Sequence, residues 1–241
     1  MTRRVILSLG SKPGPPDQCY LGALGLDGLD LEVVCVRPAD DPETVRALIR
    51  ESGGLVLSGG PDVHPARYGE EPAGTEMRYV DETRDALEFA ALAEADAAGL
   101  PVLAICRGAQ VLNVQRGGGL IQDLGDAHRD GREQAEKWRP FHTVDVLPGT
   151  RTAKLLGATA ETNSRHHQAL DPAWLGTGLT LSGRCTDGTV EAVEESGPRF
   201  VLGVQWHPEN MAIAADDSPE RRQARALFAA FAQAAHQHRA D

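Results

Sequence analysis

Pro101-Val102-Leu103-Ala104-Ile105-Cys106-Arg107-Gly108-Ala109-Gln110 runs from an unbroken apolar tetrapeptide straight into a helical pattern, with one nucleophilic side chain at the junction. Four apolar residues without polar alternation read as a strand buried on both faces, the kind found in covered parallel sheets. Ala104 and Gly108 stand two positions to either side of Cys106. A tight strand–turn–helix bend would lift the thiol above the sheet edge, and bulky neighbours there would clash. A thiol at a helix N-terminus also feels the positive end of the helix dipole, which favours the thiolate. A free cysteine equally often packs as a small core hydrophobe, and this segment alone leaves both readings open.

The same strand-then-helix rhythm extends outward. Val5–Leu9, Leu31–Val36 and Leu55–Ser58 read as strands. Pro42–Glu51 reads as a helix with Asp41 as its N-cap and proline at the first position. Glu82–Ala98 reads as a helix whose buried stripe includes Leu87, Ala91 and Ala95. Residues 61–81 lack periodicity and read as a long surface loop. In the second half, Phe141–Leu147, Leu179–Cys185, Thr189–Glu194 and Phe200–Gln205 read as strands with few helices between them. A final helix opens at Ser218-Pro219-Glu220 and packs through Leu227, Phe228 and Phe231. The expected fold is α/β: a mostly parallel central sheet covered by helices on both faces, with additional antiparallel strands, in one domain over residues 1–241.

Composition narrows the function classes. The 241 residues are 41% hydrophobic and 24% charged, so the chain is neither disordered nor short of core material. Lys+Arg of 24 against Asp+Glu of 35 gives a net charge of −11, which lacks the footprint of a nucleic-acid or anionic-membrane binder. An acidic surface would modestly steer cationic molecules toward it. Cys19, Cys35, Cys106 and Cys185 share no CxxC spacing, so neither a disulfide framework nor a zinc knuckle is expected, and the reading is cytoplasmic. Thr2-Arg3-Arg4 superficially resembles an export signal. The apolar run behind it is too short, and a first strand is expected instead.

Three further segments could carry chemistry. Gly203-Val204-Gln205-Trp206-His207-Pro208-Glu209 places a histidine and a carboxylate two apart beyond a strand. If the chain stays extended, both face the same way, and Glu209 could orient the His207 ring toward a thiol. Leu55-Val56-Leu57-Ser58-Gly59-Gly60-Pro61-Asp62 ends a strand in bare backbone N–H groups, which suit an oxyanion or simply a turn. Asn163-Ser164-Arg165-His166-His167-Gln168 is a dense polar run that could read a polar ligand or be a solvated loop. His64, His128, His142, His236 and His238 show no metal-ligand spacing, and neither metal nor cofactor is expected.

Together these motifs resemble the class I glutamine amidotransferase superfamily, and more closely its γ-glutamyl-γ-aminobutyrate hydrolase branch, the peptidase C26 type. The resemblance runs from about Gly53 to Glu209 and also includes Arg84-Asp85 with Glu88, Asn113-Val114, Gly118-Gly119-Leu120 with Gln122-Asp123, Asp187-Gly188 and Val190-Glu191. It implies a flavodoxin-like sheet and a Cys106–His207–Glu209 triad. It implies an oxyanion hole from the N–H groups of Gly60 and Arg107. Substrate contacts would come from Gly59, Gln110, Asn163, Ser164, His166, His167 and Gln168. The implied activity is hydrolysis of a small-molecule γ-glutamyl amide through a γ-glutamyl thioester, with no nucleic-acid or membrane partner and with room for a homodimer. Two alternatives stand beside it: a glutaminase subunit passing ammonia to a synthase partner, and a non-catalytic binding module on the same fold. Ala104 replaces the glycine usual at the first small elbow position, and Gly10–Asp30 matches the family poorly.

Overall fold

The computed structural model describes residues 2–129 and 136–238. Strand and helix alternate through the first half as β1 (Arg3–Ser8), α1 (Pro15–Leu24), β2 (Leu31–Val36), α2 (Pro42–Arg50), β3 (Leu55–Leu57), α3 (Glu82–Ala97), β4 (Val102–Ile105) and α4 (Arg107–Gln115). Then follow β5 (Leu120–Ile121), β6 (His142–Val146), α5 (Arg151–Leu156), β7 (Thr159–Thr162), β8 (Ala169–Leu170), β9 (Leu179–Arg184), β10 (Val190–Glu195), β11 (Val201–Val204), α6 (Pro208–Ala212) and α7 (Pro219–Gln237). The main sheet has the order β2-β1-β3-β4-β11-β10-β9-β6-β7, and β5 pairs with β8 apart from it. From β2 to β11 every neighbour is parallel; from β11 to β7 every neighbour is antiparallel. The parallel half with antiparallel additions is the expected α/β arrangement.

Side-chain alternation explains why both faces are covered. Val5, Leu7, Val56, Leu103 and Ile105 join one core with Tyr20 and Leu24 of α1 and Leu227, Phe228 and Phe231 of α7. Ile6, Leu55, Leu57, Val102 and Ala104 point the other way and join Val45 and Ile49 of α2, Leu87 and Ala91 of α3, and Leu112 of α4. Each buried strand therefore serves two cores, which is why its sequence is unbroken and apolar. The Asp41 side chain accepts a hydrogen bond from the Thr44 N–H at 2.8 Å and caps α2 as expected.

Three differences from the sequence reading affect the site. Helix α1 forms behind Gly14, with two prolines in its first turn, in the segment that matches the family poorly and for which no element was expected. Residues 61–81 are not a purely superficial loop: Pro65–Tyr68 and Met77–Tyr79 are 3₁₀ turns, and Val63 and Tyr68 are buried. The chain does not stay extended after β11, because Pro208 starts α6 with His207 as its N-cap residue. Among the described residues no helix is long and apolar enough to cross a membrane.

Candidate active site

In the order 2-1-3-4 the connections leave β1 and β3 in opposite directions, and a crevice opens at the carboxyl ends of those strands. A cavity of about 350 Å³ lies there. Leu9 and Gly10 line it from the end of β1, Ser58, Gly59 and Gly60 from β3, Cys106 from β4, and His207 and Glu209 from β11. The register explains how residues remote in sequence meet. Ile105 pairs in parallel with Val204, so the segments after β4 and β11 leave the sheet at the same edge.

Cys106 has φ 51° and ψ −108°, in the left-handed half of the map that side chains rarely adopt. Its N–H is held by the Val204 carbonyl at 2.7 Å, and α4 starts at the next residue. A strained residue between strand and helix turns its side chain out of the sheet, the elbow expected from Ala104 and Gly108. Gly108 packs directly on β3. A Cβ there would fall on the Leu57 carbonyl oxygen and lie 2.8 Å from the Leu57 Cβ. Gly108→Ala is therefore expected to destabilise the fold by about 1–3 kcal/mol, since neither backbone can yield freely. Thermal denaturation of the variant checks this, and an unchanged Tm would contradict it.

His207 Nδ1 donates to Glu209 Oε1 at 2.8 Å, and Asn210 Nδ2 donates to the same oxygen at 3.0 Å. The imidazole stands beside Cys106 in the cavity lining, close enough for the two groups to interact electrostatically. Burial alone would lower the pKa of His207. The Glu209 carboxylate and the neighbouring Cys106 outweigh burial and raise it to about 10. The backbone of His207 is clasped by Asn163, whose Nδ2 donates to the His207 carbonyl at 3.0 Å and whose Oδ1 accepts from the His207 N–H at 2.8 Å.

Gly59 sits where a side chain would collide with the ring. A Cβ there would lie 2.7 Å from His207 Cε1 and 3.4 Å from the Cys106 Cβ. Its N–H donates to the Tyr20 hydroxyl at 2.8 Å and its carbonyl accepts from Arg84 at 2.9 Å. Gly60 is the next residue and lines the cavity. The N–H of Arg107 lies in the first turn of α4, where helix geometry provides no intrahelical acceptor.

A buried charge network underlies both backbones. Arg84 Nε donates to Glu88 at 2.9 Å, and its Nη2 donates to Ser58 and to the Gly59 carbonyl. The Arg107 side chain pairs with both Glu88 and Asp85. Ser8 donates to Glu88 at 2.6 Å. Burial pushes the Glu88 carboxyl up, but Arg107 and Arg84 more than offset this and hold it below the ordinary carboxylate range.

The residues expected to touch substrate divide into two groups. Gly59 lines the cavity, while Gln110, Asn163, Ser164, His166, His167 and Gln168 are buried outside its lining. Gln110 Nε2 donates to the Gln168 carbonyl and to Gln205, whose own Nε2 lies 3.6 Å from the Cys106 sulfur. Ser164 donates to the His128 carbonyl at 2.7 Å. His167 lies between Asp62 and Asp123, and Gln168 donates to Thr75 and the Gln122 carbonyl. This loop reaches the cavity through Arg165 instead. Lys12, Lys137 and Asn210 join the lining, as does Asp17, which is paired with Arg37 at 2.6 Å. The acidic average of the chain is thus reversed at the mouth of the cavity. Tyr20 and Lys12 lie in the segment that matched the family poorly, so no motif marked them. The scattered histidines also regroup: His128, His142, Cys185 and Glu191 converge away from the cavity.

A model of the Peptidase C26 family matches residues 28–209. The Mycobacterium tuberculosis protein named "Putative glutamine amidotransferase Rv2859c" is 46% identical over 174 residues, which are 70% of this chain and 54% of that protein. Protein NtpR of Enterococcus hirae is 38% identical over 188 residues, 76% of each chain. The γ-glutamyl-γ-aminobutyrate hydrolase PuuD of Escherichia coli K12 is 34% identical over 232 residues, 92% of this chain and 87% of that one. Among solved structures, the glutaminase domain of Trypanosoma brucei CTPS with bound acivicin superimposes with a TM-score of 0.64 at 17% identity, covering 99% of this chain and 95% of that one. A glutamine amidotransferase of Thermotoga maritima gives 0.55 at 15% identity, covering 87% and 77%. The structural likeness shows the fold, and the sequence matches show the family: this chain belongs to the Peptidase C26 family, a glutamine amidotransferase-like hydrolase on the class I fold.

Proposed function

We propose that the chain hydrolyses γ-glutamyl amides with Cys106 as nucleophile, His207 as acid and base, and Glu209 as the group that orients the ring. The observation that carries this reading is the single constellation at the sheet edge. A thiol on a positive-φ elbow stands beside a histidine whose Nδ1 meets a buried carboxylate at 2.8 Å. The Cys106 sulfur attacks the amide carbonyl, and the N–H groups of Gly60 and Arg107 receive the developing oxyanion. His207 gives its proton to the departing amine and then takes one from the water that cleaves the thioester. Glutamate leaves with the thiol restored. Lys12, Lys137 and Arg165 at the cavity mouth suit carboxylates, both that of the glutamyl group and one on the leaving amine. The direct test is the intact mass of the protein quenched during turnover. A γ-glutamyl adduct on Cys106 supports the reading, and turnover without any adduct in rapid-quench samples opposes it.

The charge on Glu209 gives a pH test. His207 is held protonated up to about 10 against an unfolded value of about 6.5. Its contribution to stability is therefore fully present below about 6.5 and is lost as the pH rises through about 10. The alkaline limb of kcat/KM should reflect the same proton. Glu209→Gln removes the carboxylate that raises the pKa, so the limb should move to lower pH. The rate should fall less than in His207→Ala, which forfeits acid–base help of about 10²–10⁴-fold. A pH profile of both variants checks this. A limb that stays in place in Glu209→Gln would contradict the assignment.

A further inference from the structure

We propose a second site in this protein: a closed, structural, zinc-type metal site formed by His128, His142, Cys185 and Glu191. One ligand atom from each of the four lies within 4.8 Å of all the others. His128 Nδ1 and His142 Nε2 each stand 3.7 Å from the same Glu191 Oε1. That is too long for a hydrogen bond. It is close to the spacing of tetrahedral ligands, because donors about 2.0–2.1 Å from a zinc ion are about 3.4 Å apart.

The unmet valences point the same way. His128 Nδ1, His142 Nε2 and both Glu191 oxygens are buried and make no hydrogen bond. The Glu191 side chain is wholly buried and that of His128 is 4% exposed. His128 Nε2 lies 2.8 Å from Asp187 Oδ2, so it carries the proton and the Nδ1 lone pair faces the Glu191 oxygen. His166 adds a third nitrogen: its Nδ1 donates to the Gln168 carbonyl at 2.9 Å, and its Nε2 lies 3.4 Å from the same oxygen. Lone pairs directed at a buried carboxylate require positive charge between them. A carboxylate–histidine pair such as Asp187–His128 behind a ligand nitrogen is the usual support of a zinc-bound imidazole. Two imidazoles, a thiolate and a carboxylate suit zinc rather than magnesium or calcium. Binding would displace the Cys185 thiol proton into solvent. The site would tie β6, β10 and the residue after β9 to the turn at His128, whose carbonyl accepts from Ser164, the neighbour of Asn163.

The test uses tag-free, full-length protein, stripped with a chelator and titrated with zinc or cobalt alone. The expected result is one metal per chain, a rise in Tm with zinc, and the visible bands of tetrahedral cobalt. Thiolate-to-cobalt charge transfer should vanish in Cys185→Ser. Asp187→Ala, on the half-exposed supporting carboxylate, should weaken affinity by about 10–100-fold. Cys106→Ala should bind as the parent does. Failure of the parent to bind cobalt or zinc stoichiometrically, or loss of binding in Cys106→Ala with retention in Cys185→Ser, would overturn the proposal. None of these readouts depends on hydrolysis, so they can fail while the proposed activity stands.

Discussion

Cys106→Ala is expected to abolish turnover of every γ-glutamyl amide while leaving the fold and Tm close to those of the parent. The sulfur is the only proposed nucleophile at the sheet edge, and alanine preserves the small volume of the elbow. Relief of the unfavourable backbone at φ 51° is not available to alanine, so stability should change little from that source. The other three thiols lie elsewhere: Cys19 on α1, Cys35 on β2 and Cys185 after β9. Their replacement by alanine should leave the nucleophile intact. A glutamine-like electrophile should accordingly label Cys106 alone. Peptide mapping of labelled protein and steady-state rates of the four variants check the assignment. Full activity in Cys106→Ala would eliminate it.

Glu88→Ala is expected to produce the largest loss of stability. The carboxylate is fully buried between Arg84 and Arg107 and also accepts from Ser8. Removing it leaves two buried guanidinium groups facing each other with only Asp85 to balance them. Breaking one side of a buried ion pair costs about 3–5 kcal/mol. In a chain of this size that corresponds to a fall in Tm on the order of 10 °C. Activity should fall as well, because Arg84 holds the Ser58 and Gly59 carbonyls and Arg107 carries one of the proposed oxyanion donors. Thermal denaturation and kcat on one preparation check both halves. A Tm within a degree or two of the parent would show that the network is not needed for folding.

The parts of this architecture readable from sequence are those with short-range physical signatures. Val102–Ile105 and Leu55–Leu57 are apolar because two cores claim them, and that alone marks a covered parallel sheet. Asp41-Pro42 marks a helix start because capping is local. Helix α1 has no clean start signal in the sequence, because Pro13, Pro15 and Pro16 crowd its first turn, where proline is nevertheless well tolerated. β7, Thr159–Thr162, alternates exposed and buried residues over only four positions, too few to register as a period. At the site, Cys106, His207 and Glu209 were legible from motif and chemistry. The reason they meet, the pairing of Ile105 with Val204, was not, because register is a tertiary property. The polar run Asn163–Gln168 was legible as a dense set of hydrogen-bonding residues, but not which of its side chains would reach the cavity. Most of its side chains brace the fold, and Arg165 alone lines the cavity. His128, His142, Cys185 and Glu191 come from three strands' ends and a 3₁₀ turn, so no spacing rule could have joined them.

The most direct test of the central claim is kcat/KM of the isolated full-length chain, with no partner protein, for glutamine and for γ-glutamyl amides of neutral, acidic and basic amines. Both glutamate and the released amine should be quantified. The account predicts release of the two products in equal amounts, complete dependence on Cys106, and faster cleavage of at least one γ-glutamyl amine, the carboxylate-bearing one foremost, than of glutamine. No cleavage of any γ-glutamyl amine, or glutamine as the best substrate with strong stimulation by an added synthase, would contradict it.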